Sequence, residues 1–167
     1  MKTSFKAGAI ALLLASPLLA TQAQAQAVLT EKTLSAALAT QIATATVAAC
    51  SAKGYNVAAT VVDRSGTVRA VVRADNAGPH TLEASRLKAF TSASARNTTL
   101  AMMEGSQKNP GAANLGQIPG FLLLGGGVPV KVGNEVVGAL GVGGAPGGHL
   151  DEQCAVAALE QFQDQLK

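Results

Sequence analysis

The sequence predicts an α+β fold, with one domain built on an antiparallel β-sheet that is flanked by helices. Apolar residues recur at helical spacing near both ends of the domain, first at Leu34, Leu38 and Ile42. Between them, short β-branched runs are joined by glycine-containing turns, which is typical of β-hairpins. Strands linked by hairpins are antiparallel, and their faces need helices to cover them. No internal repeat or charged linker divides the chain.

Residues 1–25 read as a targeting segment that precedes this domain. Lys2 and Lys6 form a basic start, the run 7–19 is apolar, and the small residues 23–25 read Ala-Gln-Ala. This is the layout of a secretory signal peptide with an A-x-A cleavage site, after Ala25 as first choice or after Ala27 as second. An apolar run shorter than the ~20 residues that span a bilayer excludes a transmembrane anchor. We therefore expect a periplasmic or secreted protein whose domain occupies residues 28–167.

Loss of the leader changes the charge of the protein. The whole chain has 13 Lys and Arg against 10 Asp and Glu, and Lys2 and Lys6 belong to the leader. The remaining balance is close to neutral, with no basic stripe to follow a phosphate backbone, so we expect no nucleic-acid partner.

The first elements are a helix and a hairpin. Thr30 and Glu31 are expected to begin the helix as cap and first turn, and Gly54 to follow its end. The period then changes to that of strands over 57–63 and 67–73, which are separated by a turn containing Gly66.

The second half alternates in the same way. A loop containing Pro79 leads into a helix over about 81–95, and 105–120 is a loop rich in glycine. "FLLL" and "VPVKV" read as two strands or one bent strand, and "VVGALGV" as another. The last helix is expected to start near Leu150 or Asp151 and to run to the C-terminus.

Several separated motifs resemble one protein family. "DNAGPHTLEASRLKAFTSAS", "LLLGGGVPV", "VVGALGVGGAPGG" and "DEQCA" occur in the order found in GlcG/HbpS-like haem-binding proteins, often called haem-degrading domains. The resemblance covers 29–159. It implies a profilin-like antiparallel sheet, assembly into homo-oligomers and, in some members, haem binding. Two departures stand out: "ARNTTLAMME" holds only Arg96 where members often carry several arginines, and His149 replaces a common acidic residue and so inherits no family role.

His80 is the residue on which a haem site would depend. Neutral imidazole is a common iron ligand, and Pro79 stiffens the chain before it. By itself, however, a single histidine at a helix start is no motif, and its position alone favours an exposed end residue beside the cap Thr81. The resemblance implies that the "GPHT" segment is the edge of a ligand pocket, with His80 or instead Thr81 or Thr91 approaching the iron.

The neighbouring residues supply the other parts of a haem site. We predict Arg73, Arg86 and Lys88 as partners of the haem propionates, and Phe90 as part of the apolar wall. No CxxCH motif occurs, so haem is expected to bind non-covalently.

Other chemistry has little support in the sequence. The glycine clusters 125–127 and 141–148 lack the features of a P-loop or of a dinucleotide fingerprint, and we expect them to permit positive φ and close backbone packing. No nucleophile or paired acid and base has a recognisable setting, which favours binding over catalysis.

Three functions follow as hypotheses. The first is an exported haem-binding protein that scavenges, stores or senses haem. The second is a small-molecule enzyme or accessory protein of organic-acid (glycolate-type) metabolism that uses the same cleft without haem. The third is an assembly module with no ligand of its own. In each case the few bulky side chains and the apolar stretch 121–130 favour a homo-oligomer.

Cys50 and Cys154 are the only cysteines. In an oxidising compartment they would pair if the first and last helices pack antiparallel on one face of the sheet. The alternative is two buried free thiols.

Overall fold

The structure is a computed structural model that describes residues 28–167, so the predicted leader 1–25 lies outside the described residues. Within this range the four α-helices are α1 (Ala36–Ser51), α2 (His80–Ala95), α3 (Thr99–Lys108) and α4 (Gly148–Glu160). The same residues form four strands, β1 (Ala58–Asp63), β2 (Val68–Arg73), β3 (Gly127–Val132) and β4 (Glu135–Gly143). Short 3₁₀ turns lie at Pro110–Ala112, Leu115–Gln117 and Gln163–Gln165.

The strands form one sheet in the order β2-β1-β4-β3. All three pairings are antiparallel, and both the β1–β2 and the β3–β4 pair are hairpins. The central strands β1 and β4 are almost wholly buried, whereas β2 is exposed along much of its length. The predicted α+β class with an antiparallel sheet is confirmed.

The helices cover opposite faces of this sheet. Val57, Ala59 and Val61 face the core that α1 and α4 close. The alternate residues face α2: Val62 clusters with Ala89, and the Thr60 hydroxyl lies 2.7 Å from that of Ser85. This alternation is the two-residue period of a strand, and it places α1 and α4 on one side and α2 on the other.

Helix α1 starts later than the sequence indicates. Its N-cap is Ser35, whose hydroxyl accepts a hydrogen bond from the Leu38 N–H at 3.1 Å, so the prediction of Thr30 as the cap was wrong. A serine side chain that satisfies one free N–H of the first turn stabilises a helix by about 1 kcal/mol. The end is as predicted, because Gly54 follows α1 with φ +81°.

Helix α3 was not predicted, and the run 121–124 is not a strand. Arg96 ends α2 in the left-handed conformation, with φ 55°, and Thr98 caps α3 by accepting from the Ala101 N–H. The backbone of 121–124 is held by side chains instead: Leu122 N–H donates to the Thr91 hydroxyl, and the Thr99 hydroxyl donates to the Leu124 carbonyl.

Glycine on β4 lets α2 lie directly on the sheet. A Cβ on Gly141 would stand 2.0 Å from the Ser85 carbonyl oxygen and 2.5 Å from the Ala89 nitrogen. Gly143 lies under Ala84 and the Thr81 carbonyl in the same way. The absence of a Cβ at these positions therefore sets how closely α2, the helix that carries the predicted site, approaches the sheet.

A disulfide joins α1 to α4. Cys50 and Cys154 are bonded, with their Cα atoms 5.3 Å apart, and both are fully buried. The condition for this pairing, that both helices lie on one face of the sheet, is met, and the alternative of two free thiols is wrong.

Candidate functional site

The start of α2 presents an open histidine. His80 is the first residue of the helix, is exposed, and follows the N-cap residue Pro79. Its ring lies over Gly78. A Cβ built on that glycine would come within 2.8 Å of the ring atom Cε1. Within residues 28–167, neither ring nitrogen has a hydrogen-bond partner. The imidazole is thus accessible and has a nitrogen lone pair to offer.

The two threonines named as alternative ligands are enclosed. Thr81 is 1 % exposed, and its hydroxyl donates to the Gly78 carbonyl at 2.7 Å. Thr91 is fully buried; its hydroxyl donates to the Leu87 carbonyl and accepts from the Leu122 N–H, both at 2.8 Å. A bound iron would reach either hydroxyl oxygen only if these hydrogen bonds broke and the residues that bury the threonine moved.

Two of the three predicted cations lie at the surface, on the segments before and after His80. The Arg73 guanidinium donates to the Ala77 carbonyl, which fixes it beside the loop that leads to His80. Arg86 is one and a half turns along α2 and binds Glu83 through two hydrogen bonds of 2.7 and 2.8 Å. That hydrogen bond lowers the pKa of Glu83 and raises the pKa of Arg86, so both are charged at neutral pH.

An apolar surface accompanies these cations. Val71 pairs with Thr60, whose side chain contacts α2, so Val71 lies on the α2 face of the sheet and one strand further out. It is 46 % exposed, and Leu82, four residues before Arg86 on α2, is 42 % exposed. We give the name α2–β2 shelf to Val71 and Arg73 of β2 together with His80 at the start of α2 and Leu82 and Arg86 along it.

Lys88 and Phe90 do not belong to the shelf. Phe90 packs edge-on against Phe121 with ring centres 6.3 Å apart, close to Gly66 and Gly120. Lys88 is only 1 % exposed, and its ammonium donates to Asp151 Oδ2 at 2.7 Å and to the Val142 carbonyl at 2.9 Å. Its place in the interior, where both contacts are strong, keeps it away from any propionate on the shelf.

The Lys88–Asp151 pair was missed by sequence reasoning. Asp151 Oδ1 also accepts from the Ala145 N–H at 2.9 Å, so the pair ties α2, β4 and α4 together. Burial raises the pKa of Asp151, while the nearby Lys88 charge acts in the opposite direction. A signal was present: the spacing of Thr81, Ser85 and Lys88 puts the lysine on the buried stripe of α2.

The glycine clusters serve close packing, as expected. A Cβ on Gly125 would stand 2.9 Å from the backbone carbon of Gly148, and one on Gly148 would stand 2.7 Å from the Gly125 carbonyl oxygen. The two loops therefore meet backbone to backbone. Gly126, with φ +118°, covers the buried Lys88–Asp151 pair.

Clefts formed by residues 28–167 open on the α1/α4 side of the sheet, and three of them are well defined. One of about 430 Å³ lies between β3 and α4 and includes Val130 and Leu159. A second of about 460 Å³ includes His149 and Glu152, and a third of about 320 Å³ lies beside Leu34. None of these three is lined by a residue of the shelf.

Two further observations concern residues 28–167 alone. No three histidine, cysteine or acidic side chains of this region converge in a way that would hold a metal ion. None of its helices has the length and apolarity to cross a membrane.

Known structures with this architecture are similar in sequence as well. HbpS is 37 % identical, with 81 % of this chain and 94 % of that chain covered and a TM-score of 0.76. A double mutant of HbpS from Streptomyces reticuli is 35 % identical over 89 % of this chain and 97 % of that chain, again with a TM-score of 0.76. The protein ORFY of Klebsiella pneumoniae is 27 % identical over 83 % and 97 % of the two chains, with a TM-score of 0.78. None of the curated proteins matches the chain.

The architecture is that of a class of small α+β domains with a four-stranded antiparallel sheet between two helical layers. The model of the family described as haem degrading protein HbpS-like matches residues 34–160. The chain belongs to the HbpS-like family.

Proposed function

We propose that this protein binds haem non-covalently on the α2–β2 shelf and acts outside the cytoplasm in haem scavenging, storage or sensing. Membership of a family described by its action on haem supports the ligand. The observation that carries the site is the exposed His80 imidazole at the start of α2, where Arg73 is held on the loop before it and Leu82 and Arg86 are at the surface of the helix after it.

The shelf fits the chemical parts of haem. His80 offers a neutral nitrogen to iron, Val71 and Leu82 offer apolar contact to the macrocycle, and Arg73 and Arg86 offer charge to the propionates. Haem brings to this site an iron centre able to bind a nitrogen ligand. The protein itself supplies orientation, because Pro79 and the packing of Thr81 fix the first turn of α2.

An extracytoplasmic location is part of the proposal. The Cys50–Cys154 disulfide supports it, since such bonds persist mainly in oxidising compartments. The mass and N-terminal sequence of the protein recovered from periplasm or medium test it. A protein that keeps Met1 and stays with the cytoplasm would contradict this part alone.

Hemin titration of the protein that starts at residue 26 tests the ligand and the site together. We expect a saturable Soret shift for the wild type, and for His80→Ala a loss of affinity of at least about tenfold or a changed spectral type. His149→Ala is a matched control, because His149 is also exposed at a helix start with its ring over the glycine two residues before it. It should behave like the wild type.

The outcomes separate the parts of the proposal. A wild type without a saturable shift would remove haem as the ligand, and a thermal-shift series with glycolate and related hydroxy acids would then test the two arginines as a carboxylate site. An unchanged His80→Ala protein would move the iron ligand elsewhere, with Thr81→Ala and Thr91→Ala as the next variants.

A further inference from the structure

Arg86 of the shelf is already paired with a carboxylate of its own helix. Its Nε and Nη2 atoms donate to the two carboxylate oxygens of Glu83 at 2.8 and 2.7 Å. Two parallel hydrogen bonds of this kind are the way in which a guanidinium generally recognises a carboxylate, including that of a ligand. Glu83 therefore takes the place on Arg86 that a ligand carboxylate would use.

Arg73, the other arginine of the shelf, has no acidic partner of this kind. Its Nε and Nη2 atoms donate to the backbone carbonyl of Ala77, which carries no net charge. None of the ion pairs formed by residues 28–167 includes Arg73. Arg73 thus presents a positive charge without a paired carboxylate, whereas the charge of Arg86 is offset by Glu83 at hydrogen-bond distance.

The position of Glu83 on α2 explains why the pair forms. Glu83 is the acidic residue of the first turn, where the free N–H groups of a helix favour a negative charge, and it precedes Arg86 by three residues. Both side chains are at the surface, with 63 % of Glu83 and 40 % of Arg86 exposed. Exposed ion pairs are weak, and their loss changes an equilibrium by about fivefold or less. A ligand carboxylate can therefore displace Glu83 from Arg86 at a small loss of affinity.

We infer that Glu83 controls how the shelf recognises the carboxylates of its ligand, by competing with them for Arg86. This inference rests on the proposed function, in which both arginines offer charge to the haem propionates. Arg73 then binds a propionate directly, and Arg86 binds one only after Glu83 has left it. The charge of Glu83 lowers the affinity for a ligand that carries carboxylates and leaves the affinity for the macrocycle itself unchanged.

Two forms of the same macrocycle separate these contributions. Hemin has free propionates, and in hemin dimethyl ester they are blocked. Each is titrated, in one buffer with dilute detergent, into the protein that starts at residue 26, and the Soret band is followed. Glu83→Gln keeps the size of the side chain and removes its charge, so hemin should bind about threefold to fivefold more tightly than to the wild type. The affinity for the dimethyl ester should stay that of the wild type.

Removal of Arg86 shows whether Glu83 acts through it. In a protein that already carries Arg86→Gln, the change Glu83→Gln should raise hemin affinity by less than about 1.5-fold, because no guanidinium is there to be freed. Salt at about 0.15 M limits the influence of more distant charges, since the Debye length is then about 8 Å.

Glu104→Gln is the matched control. It removes the acidic partner of Lys108 from an exposed ion pair on α3, and hemin affinity should remain that of the wild type. All the changed side chains reach the surface, so each variant should keep the fold, which circular dichroism and thermal unfolding would verify.

The results separate this inference from the proposed function. Tighter binding of hemin by Glu83→Gln, with no gain for the ester and none without Arg86, supports competition for Arg86. A wild type with no saturable hemin shift would remove the proposed function and this inference with it. If the wild type binds hemin, an unchanged affinity of Glu83→Gln, an equal gain for the ester, or an equal gain in the Arg86→Gln protein would overturn this inference alone.

Discussion

Replacement of Lys88 by methionine should destabilise the domain more than any surface change. Methionine keeps the length of the side chain but removes the ammonium that binds Asp151 and the Val142 carbonyl. Asp151 is only 2 % exposed, so its carboxylate would stay buried with the Ala145 N–H as its hydrogen-bond partner. Breaking one side of a buried ion pair costs about 3–5 kcal/mol.

This loss is large relative to the total free energy of unfolding of a domain. Domains of this size unfold with free energies of about 5–15 kcal/mol, so the loss takes a third or more of that stability in a typical case. With an unfolding entropy of about 2 cal/mol/K per residue, the midpoint temperature should fall by roughly 10–17 °C.

Urea unfolding at several pH values provides the assay. Burial already raises the pKa of Asp151, and removal of the Lys88 charge raises it further. A carboxyl group with a raised pKa in the folded state destabilises the protein above that pKa, so Lys88→Met should regain stability as the pH falls and Asp151 takes up a proton. Lys88→Met combined with Asp151→Leu removes both charges and should cost much less than the single change.

The reasoning would be refuted by a Lys88→Met protein that loses under about 1 kcal/mol at neutral pH. It would equally be refuted if the double variant were less stable than the single one, because the penalty would then come from lost packing and not from an unpaired charge.

Three further predictions concern other contacts of the core. Gly141→Ala should cost about 1–3 kcal/mol or more in urea unfolding, since its Cβ has no room below α2; a cost near zero would show that α2 can shift. Burial raises the pKa of Glu152, so Glu152→Gln should gain stability relative to the wild type as the pH rises from about 4 to 7. Glu83→Gln removes a carboxylate whose pKa is lowered, so its stability relative to the wild type should fall as the pH rises. Equal pH profiles of the two variants would contradict this. Replacing Cys50 and Cys154 by alanine should cost about 2–5 kcal/mol at the urea midpoint, and an unchanged midpoint would show that the disulfide adds nothing to stability.

The parts of the fold that sequence predicted are those with local causes. The hairpin β1–β2 follows from two β-branched runs around Gly66, and the end of α1 follows from Gly54, whose positive φ suits glycine. The sequence did not predict helix α3, because α2 ends at Arg96 in the left-handed conformation, which arginine rarely adopts. The run 121–124 reads as a strand, yet its backbone partners are the side chains of Thr91 and Thr99, which no local pattern reveals.

In the candidate site, too, the sequence predicts the residues whose setting is local and misses those whose setting depends on distant partners. The exposure of His80 at a helix start follows from "GPHT", which is a local feature. The fate of Lys88 depends on Asp151, which is 63 positions away, and the sequence names no partner at such a distance. Helical spacing places Lys88 on the inner stripe of α2, but only the tertiary structure shows that an acid meets it there.

The segment 151–154 explains how a core of small side chains holds its layers together. Asp151 binds Lys88 of α2 beside the end of the central strand β4, Glu152 lies at the N-terminal end of α3 near the Leu100 N–H, and Cys154 is bonded to Cys50 of α1. Three side chains of one helical turn thus reach three other helices. Alanine and glycine bury little apolar area, and each buried methylene contributes only about 0.8 kcal/mol. The ion pair, the Glu152 contact and the disulfide therefore supply stability that apolar burial in this core does not. The Asp151–Lys88 contact ends on α2, the helix that presents His80. It therefore anchors α2 to α4, which lies on the other face of the sheet. The position of the proposed ligand site thus depends on α4 as well as on its own neighbours.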